Sequence, residues 1–396
     1  MSIFTTASRI IITCKKRITP YLEQEVRDLG FEIERKFVTG IELKGTVNDC
    51  IRLNLNLRCA SQVLYSLKEF SANSPEEVYT KLLHYPWETI LSPEGYFSVT
   101  NNSSHFLVNS EMFVNVKVKD AIVDRMRREV LKRPDSGSIL DGAVINLYWN
   151  DQQAEVFLDT SGETLAKHGY RKIPGQAPML EALAASTIMA TKWDRKSPFV
   201  NPMCGSSTIA IEALLLATNR RPGLYRHNYS FQHVLGYDAT VYEQELQKLK
   251  NQITEVPGLK VIATDISADA IEISRVNAEL AGVDHLMEFT VCDFESTALP
   301  EPPGIVYFNP EYGERLGDEK ELEITYARIG DFMKKKCQGY LGYIFTGNLE
   351  LAKKVGLKAS RRIEFYTAQL DCRLLEYELY GGTRRVEKKP TEPPII

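Results

Sequence analysis

From about residue 175 the chain settles into one rhythm, and that rhythm constrains the fold more than any other feature. Short apolar runs alternate with helical patterns. "PFV" leads into "STIAIEALLLA" and "KVIATD" into "SADAIEISRVNAELAG"; "MEFTVCDF", "GIVYFNP", the helical "ELEITYARIGDFMKKK" and "GYLGYIFTGN" follow. Apolar runs this short, separated by amphipathic helices, predict parallel strands covered on both faces, because parallel neighbours need a crossover connection. The last pattern departs from this. "FYTAQLDCRLLEYELY" reads as two strands around a tight turn, so the α/β sheet is expected to end in an antiparallel hairpin.

The 396 residues exceed one ordinary domain, and about 150 residues per domain suggests two or three. The first 160 or so residues carry α+β patterns without an internal repeat. "RIIITC" reads as a strand. "TPYLEQEVRDLG" reads as a helix with Thr19 as cap, Pro20 at its first position and Gly30 closing it. "NLNLRCASQVLYSLKEF" reads as a helix entering a strand. "SPEEVYTKLLHYP" is a helix capped by Ser74, with Pro75 first and Pro86 beyond its end. "YFSVTNN" is a strand, and "AVINLYWNDQQAEVFLDTSG" a hairpin turning at Asn150-Asp151. The tail, 387–396, is charged and proline-rich and is expected to be flexible.

Composition narrows the setting. The seven cysteines are scattered, with no Cys-x-x-Cys pair and no histidine at metal spacing. A reduced, cytoplasmic protein without a metal site or disulfide framework is expected. No apolar stretch reaches the roughly 18 residues a membrane span needs. A net charge of −4 does not announce a nucleic-acid binder, but a local basic patch suffices for one. "KVKDAIVDRMRREVLKRP" places seven basic and three acidic residues between Lys117 and Arg133, which suits either phosphate contact or a solvated helix face. Lys167, His168 and Arg171, at the junction between the halves, are further candidates for RNA contact.

In an open parallel sheet, ligands bind beyond the carboxyl ends of the strands, and four predicted strand ends are polar. In "FVNPMCGSSTIAIEA" a strand ends at Asn201, and Gly205, Ser206 and Ser207 precede a helix. Small residues let backbone approach a ligand, and a helix start offers free N–H groups. Asp265 in "VIATDIS" can accept from ribose hydroxyls or cap the next helix. Asp293 in "TVCDFES" can accept from an adenine amino group with Phe294 on the ring, or be a plain loop carboxylate. In "IVYFNPEYGERLG", Asn309 and the Pro310 carbonyl are acceptors and Tyr312 is a flat face, the set that would hold an exocyclic amine on a nucleobase; the alternative is a simple Asn-Pro turn. Together, in this order, they point to a nucleotide-like cofactor beside a flipped base.

These segments resemble the class I S-adenosylmethionine (SAM)-dependent methyltransferases that modify base amino groups. Upstream, "FVNVKVKDAIVDRMR", "VFLDTSGETLAKHGYR", "APMLEALAAS", "PGLYR", "PYLEQEVRDLGFEIE", "NLRCASQVLYSLKEF" and "LLHYPWETIL" resemble the THUMP-domain RNA methyltransferases, nearest the group containing the bacterial 23S ribosomal RNA guanine-N2 enzymes. The resemblance runs to about residue 382. It implies a Rossmann-like, seven-stranded, mostly parallel sheet preceded by a ferredoxin-like segment and a THUMP RNA-binding domain. The corresponding division is 1–55 ferredoxin-like, 56–160 THUMP, 161–386 methyltransferase and 387–396 tail.

The resemblance further implies SAM as cofactor. Asn201, Met203, Gly205 and Ser207 would hold its methionine end, Asp265 and Ile266 its ribose side, and Asp293 and Phe294 its adenine. Pro178, in "GQAPMLEALAAS", would help close the pocket. Asn309, Pro310 and Tyr312 would hold the target base. The implied activity is methylation of guanosine N2 in RNA, most naturally 23S ribosomal RNA, by a monomer or weak homodimer away from membranes. Three positions depart from the family pattern: Asn201 replaces an aspartate, Ser207 a glycine and Glu311 a proline. Ser207 is expected to crowd the pocket, and Glu311 to leave Pro310 freer and to slow transfer by stabilising a sulfonium ground state. Those departures support the alternative of a weak or inactive RNA-binding relative. A tRNA guanosine or an adenine N6 are the other targets the motif allows.

Overall fold

The computed structural model describes residues 2–104, 111–173, 179–312, 319–367 and 370–381. The expectations for Pro178 and for the tail fall outside them. The N-terminal half contains β1 (Ser8–Thr13), α1 (Thr19–Asp28), β2 (Arg35–Phe37), β3 (Gly40–Gly45), α2 (Val47–Asn56), β4 (Gln62–Ser71), α3 (Pro75–Leu83), β5 (Tyr96–Ser104), α4 (Glu111–Val130), β6 (Asp135–Gly137), β7 (Ala143–Asn150) and β8 (Gln153–Asp159). Its strands form one sheet in the order β2-β3-β1-β4-β8-β7-β5-β6.

Strand β4 makes that sheet continuous. Its first half pairs with β1, as in Ile10↔Tyr65, and most of its length pairs with β8, from Leu64↔Asp159 to Ser71↔Gln153. A single sheet therefore crosses residue 55. The hairpin of β7 and β8 turns at Asp151, whose φ is +51°. Helix starts follow local chemistry. Ser74 accepts from the Glu77 amide with Pro75 behind it, and Thr46 and Asp49 form a reciprocal capping box on α2. At α1 the structure differs from expectation. Ile18 occupies the cap position, and the Thr19 hydroxyl donates instead to the Val38 carbonyl at 2.9 Å.

The C-terminal half contains α5 (Glu181–Met189), β9 (Phe199–Pro202), α6 (Thr208–Ala217), α7 (Ala239–Asn251), β10 (Val261–Asp265), α8 (Ala268–Leu280), β11 (Met287–Val291), β12 (Ile305–Phe308), α9 (Glu319–Lys336), β13 (Leu341–Thr346), α10 (Leu349–Lys354), β14 (Arg361–Thr367) and β15 (Leu370–Glu378). Its seven strands run β11-β10-β9-β12-β13-β15-β14. The first five are parallel, and β15 and β14 close the edge antiparallel. Alternation sorts the core. Phe199, Tyr307 and Tyr343 stack across β9, β12 and β13 at 6.2 and 6.3 Å on one face. Val200, Val306 and Phe308 face the other way, onto Tyr326, Ile329 and Phe332 of α9. Helix α6 is apolar nearly all round because it is buried nearly all round, from Thr208 to Leu216. Among the described residues no helix is long and apolar enough to cross a membrane, and all seven cysteines are unpaired.

The chain fills β9, β10 and β11 outward in one direction, then returns to place β12 on the other side of β9. That reversal is a topological switch point, where the flanking loops part and leave a crevice. All four polar strand ends read from the sequence meet along this edge.

Candidate active site

The turn after β9 is built from left-handed residues. Met203, Gly205 and Ser207 have φ of +54°, +56° and +56°. Two of the three are not glycine, and left-handed backbone costs such residues energy that surrounding contacts must offset. The offsets are visible. The Cys204 amide donates to the Thr264 carbonyl, and the Gly205 amide donates to Asp265 Oδ2 at 2.9 Å. The Ser207 hydroxyl donates to Ser274 Oγ at 2.9 Å, and Ser274 donates to the Gly205 carbonyl at 2.8 Å. Ser207 is thus fully buried against α8, and the expected crowding is corrected: the added hydroxyl binds the neighbouring helix. Ser207 makes no side-chain cap on α6, so that helix start keeps N–H donors for an anionic group.

Asn201 is 1 % exposed. Its Nδ2 donates to the Tyr307 carbonyl of β12 at 2.9 Å, a bond that the family's ionised aspartate, lacking a donor, does not make. Its Oδ1 is buried without a partner, and so is Oδ1 of Asn309 at the end of β12. Two orphaned acceptors on adjacent strand ends call for donors, because each unpaired buried acceptor costs about 1–3 kcal/mol.

Asp265 holds the Gly205 amide with one oxygen and the Ser267 amide with the other, at 2.9 and 3.0 Å. Ser267, not Asp265, caps α8. Ile266 beside it is 74 % exposed, an apolar shelf at the strand end. Asp293 is held by Arg328 of α9, whose Nη2 lies 2.9 and 2.8 Å from its two oxygens. Burial works to raise the Asp293 pKa, but the Arg328 hydrogen bonds prevail and hold it below the ordinary value. Arg328 also reaches Glu295 at 2.7 Å and lies over the Phe294 ring at 4.9 Å. Phe294 is 6 % exposed and packs edge-on against Phe308 and Phe332. The structure therefore places Phe294 in the core, and the exposed apolar side chains at this end are Ile266 and Val291.

Pro310 is buried and Glu311 exposed. Tyr312 meets Phe345 edge-on at 6.4 Å and lies against Gly347, where an added β-carbon would sit 3.0 Å from its ring. Burial, reinforced by Cys372, pushes its pKa to about 12, so the phenol stays neutral and is no base at neutral pH.

Two sequence candidates for RNA contact are corrected. His168 is fully buried, with Nδ1 2.7 Å from Glu212 Oε1 and Nε2 2.9 Å from the Arg58 carbonyl. The Arg171 side chain is 9 % exposed and bonds Glu181 and the Met179 carbonyl, both at 3.0 Å. On α4, Lys117, Lys119, Arg125, Arg127 and Arg128 all have acidic partners, which favours the solvated-face reading of that segment. Arg328 was missed. The only hint was the closely spaced acids Asp293 and Glu295 flanking an aromatic, a pattern that calls for a cation without locating it.

A family model described as "RMKL-like, methyltransferase domain" matches residues 168–376, and one described as "RlmL ferredoxin-like domain" matches 9–64. A protein named ribosomal RNA large subunit methyltransferase K/L from Syntrophotalea carbinolica is 34% identical over 94% of this chain and 53% of its own length. The like-named protein from Psychromonas ingrahamii is 32% identical over 96% and 52%. The chain thus spans about half the length of these relatives. Among solved structures, SMU.472, determined in complex with SAH, superposes with a TM-score of 0.85 at 25% identity, covering 96% of this chain and 100% of that one. A predicted N6-adenine-specific DNA methylase from Listeria monocytogenes gives 0.83 at 27%, covering 94% and 97%. The model match over residues 168–376 and these identities over nearly the whole chain show the family: the chain belongs to the RMKL-like methyltransferase family.

Proposed function

We propose that this chain is a SAM-dependent RNA methyltransferase acting on the exocyclic N2 of a guanosine, with large-subunit ribosomal RNA as its substrate, in the cytoplasm, as a monomer or weak homodimer. The carrying observation is the buried, unpartnered Oδ1 of Asn309 at the switch point. An exocyclic amine donates two hydrogen bonds, and Asn309 Oδ1 with the Pro310 carbonyl would accept both, turning the nitrogen lone pair towards the cofactor side. The names of the relatives supply the RNA class, and the match to an L-type ferredoxin-like segment supports the N2 position.

The cofactor fits the residues present. The uncapped start of α6 suits a carboxylate, the free Oδ1 of Asn201 suits an ammonium group, Asp265 suits ribose hydroxyls, and Ile266 and Asp293 suit adenine. When bound, SAM supplies an electrophilic methyl group. The protein's part is positioning: Asn309 and Pro310 orient the amine, Tyr312 flanks the base, and the strand ends keep both partners within reach. No strong base is required of the chain, since an amine that gains a methyl group becomes acidic enough to lose its proton to water. We assign RNA docking to residues 56–160, with 1–55 as its ferredoxin-like extension and 161–386 as the catalytic part. The first two share a sheet, so this division is functional.

The test is transfer of labelled methyl from SAM to unmodified ribosomal RNA, followed by nucleoside analysis. N2-methylguanosine is expected. Label in N6-methyladenosine, or RNA binding without any label, would overturn the assignment. A second expectation concerns Arg328. Arg328→Ala should weaken SAM binding about five- to tenfold, because Asp293 loses the charge-assisted bonds that aim it. Arg328→Lys should restore only part, since an ammonium lacks the planar fork. Unchanged titration calorimetry with SAM would remove Asp293 from the cofactor site.

A further inference from the structure

A cleft of about 650 Å³ opens where the two halves join. Its lining includes Asp141 from the N-terminal half, Glu163, Lys167 and Lys172 from the connecting segment, and Arg226 and His227 from the C-terminal half. The walls are fixed to one another. Gly169 has φ of +99°, and a β-carbon there would lie 2.8 Å from the Tyr225 carbonyl, so these backbones touch. Asn228 Nδ2 donates to the Asp141 carbonyl at 3.1 Å. Arg171 ties the cleft to the site, donating to Met179 and, at 3.4 Å, to Thr208 at the start of α6.

Charge decides what such a cleft can hold. Lys167 is paired with Glu163 at 2.9 Å, and Arg171 with Glu181. Arg226 donates to the backbone carbonyls of Ser161, Glu163 and Thr164, and the Glu163 and Asp159 carboxylates offset part of its charge. Lys172 and His227 are exposed, and no hydrogen bond or ion pair involves either among the described residues. Asp141 is the one lining acid without a paired cation there. A second cleft, of about 700 Å³ between α1, α2 and α7, lies away from the strand ends.

We propose that the junction cleft binds a backbone phosphate of the RNA beside the target nucleotide, with Lys172 and His227 as contacts. This rests on the RNA reading above and adds a site to it. A base drawn out of its stack needs its flanking backbone held, and phosphate contacts fix register without reading sequence. The cleft supplies free cationic and N–H donors next to the helix start that follows the cofactor turn.

The experiment compares wild type with Lys172→Glu and Lys172→Glu/His227→Glu, both at exposed positions, on unmodified 23S ribosomal RNA made by transcription. Expected is at least a tenfold rise in KM for RNA in the double variant, with SAM affinity unchanged. The salt dependence of RNA binding should be shallower by roughly one phosphate contact per removed charge. If wild type methylates RNA and the double variant matches it in KM and salt slope, this inference is overturned and the activity stands. If wild type neither binds nor methylates RNA, both fall together.

Discussion

Replacing Asn309 by alanine should lower methyl transfer about 100-fold while leaving affinity for SAM within about twofold and stability unchanged. The three parts have separate causes. A hundredfold is about 2.7 kcal/mol, the scale of losing one acceptor that holds the reacting nitrogen in line. Cofactor affinity is spared because, in the proposed site, the turn after β9, Asp265 and Ile266 would hold the cofactor without Asn309. Stability is spared because Asn309 Oδ1 has no partner to lose; removing an unsatisfied buried acceptor forfeits no bond in the free protein. Single-turnover transfer, SAM calorimetry and thermal denaturation on one preparation test all three. Asn309→Ala with wild-type turnover would sink the base-amine assignment. A loss of turnover matched by an equal loss of stability would make Asn309 a structural residue.

The second large effect concerns the joint between the halves. Glu25 of α1 accepts from the amides of Arg58 and Cys59. Arg58, fully buried, donates to the carbonyls of Leu215 and Arg220 across the junction. Its own carbonyl meets His168, which meets Glu212 of α6, also fully buried. Glu212→Ala should cost about 3–5 kcal/mol, since it strands the fully buried His168 without its anion, and lower the thermal midpoint by on the order of 10 °C. A change within experimental error would show the network to be idle.

The same network predicts a pH signature. Burial works to lower the His168 pKa, but the Glu212 carboxylate outweighs it and raises the pKa above 6.5. A raised folded-state value means the folded protein binds the proton more tightly. The stabilisation is fully present below about 6.5 and lost as pH rises through the folded value. Wild type and His168→Gln should therefore differ most at mildly acidic pH and converge above the folded pKa. Subtracting the two curves removes other titrations, including that of buried Asp159, whose burial pushes it to about 7. A difference that grows with pH would reverse the protonation state assigned to His168.

The sequence was most legible where chemistry is local. The order of strands and helices after residue 175, the caps at Ser74 and Pro75 and the closing hairpin all follow from periodicity and turn residues a few positions apart. It was least legible where pairing is distant. Nothing within β4 says that its two edges meet β1 and β8, so the single N-terminal sheet was invisible. Burial of charge was equally hidden. His168 and Arg171 look like surface cations until Glu212 and Glu181 arrive from other elements. Phe294 reads as a free stacking ring until α9 covers it. At the candidate site, the polar strand ends were legible because each follows its own strand, whereas Arg328 reaches Asp293 from α9.

The uninterrupted N-terminal sheet and the buried Arg58–His168–Glu212 joint have a joint consequence for target choice. Neither half can swing on the other without breaking buried bonds, so the span from the N-terminal surface to Asn309 is a fixed length. An RNA gripped at one end presents to the pocket whichever nucleotide lies that far away. On the RNA reading proposed above, such a molecule would measure: it would select its target by distance along a folded RNA, and inserting a single base pair between grip and target would move a different nucleotide, or none, into reach.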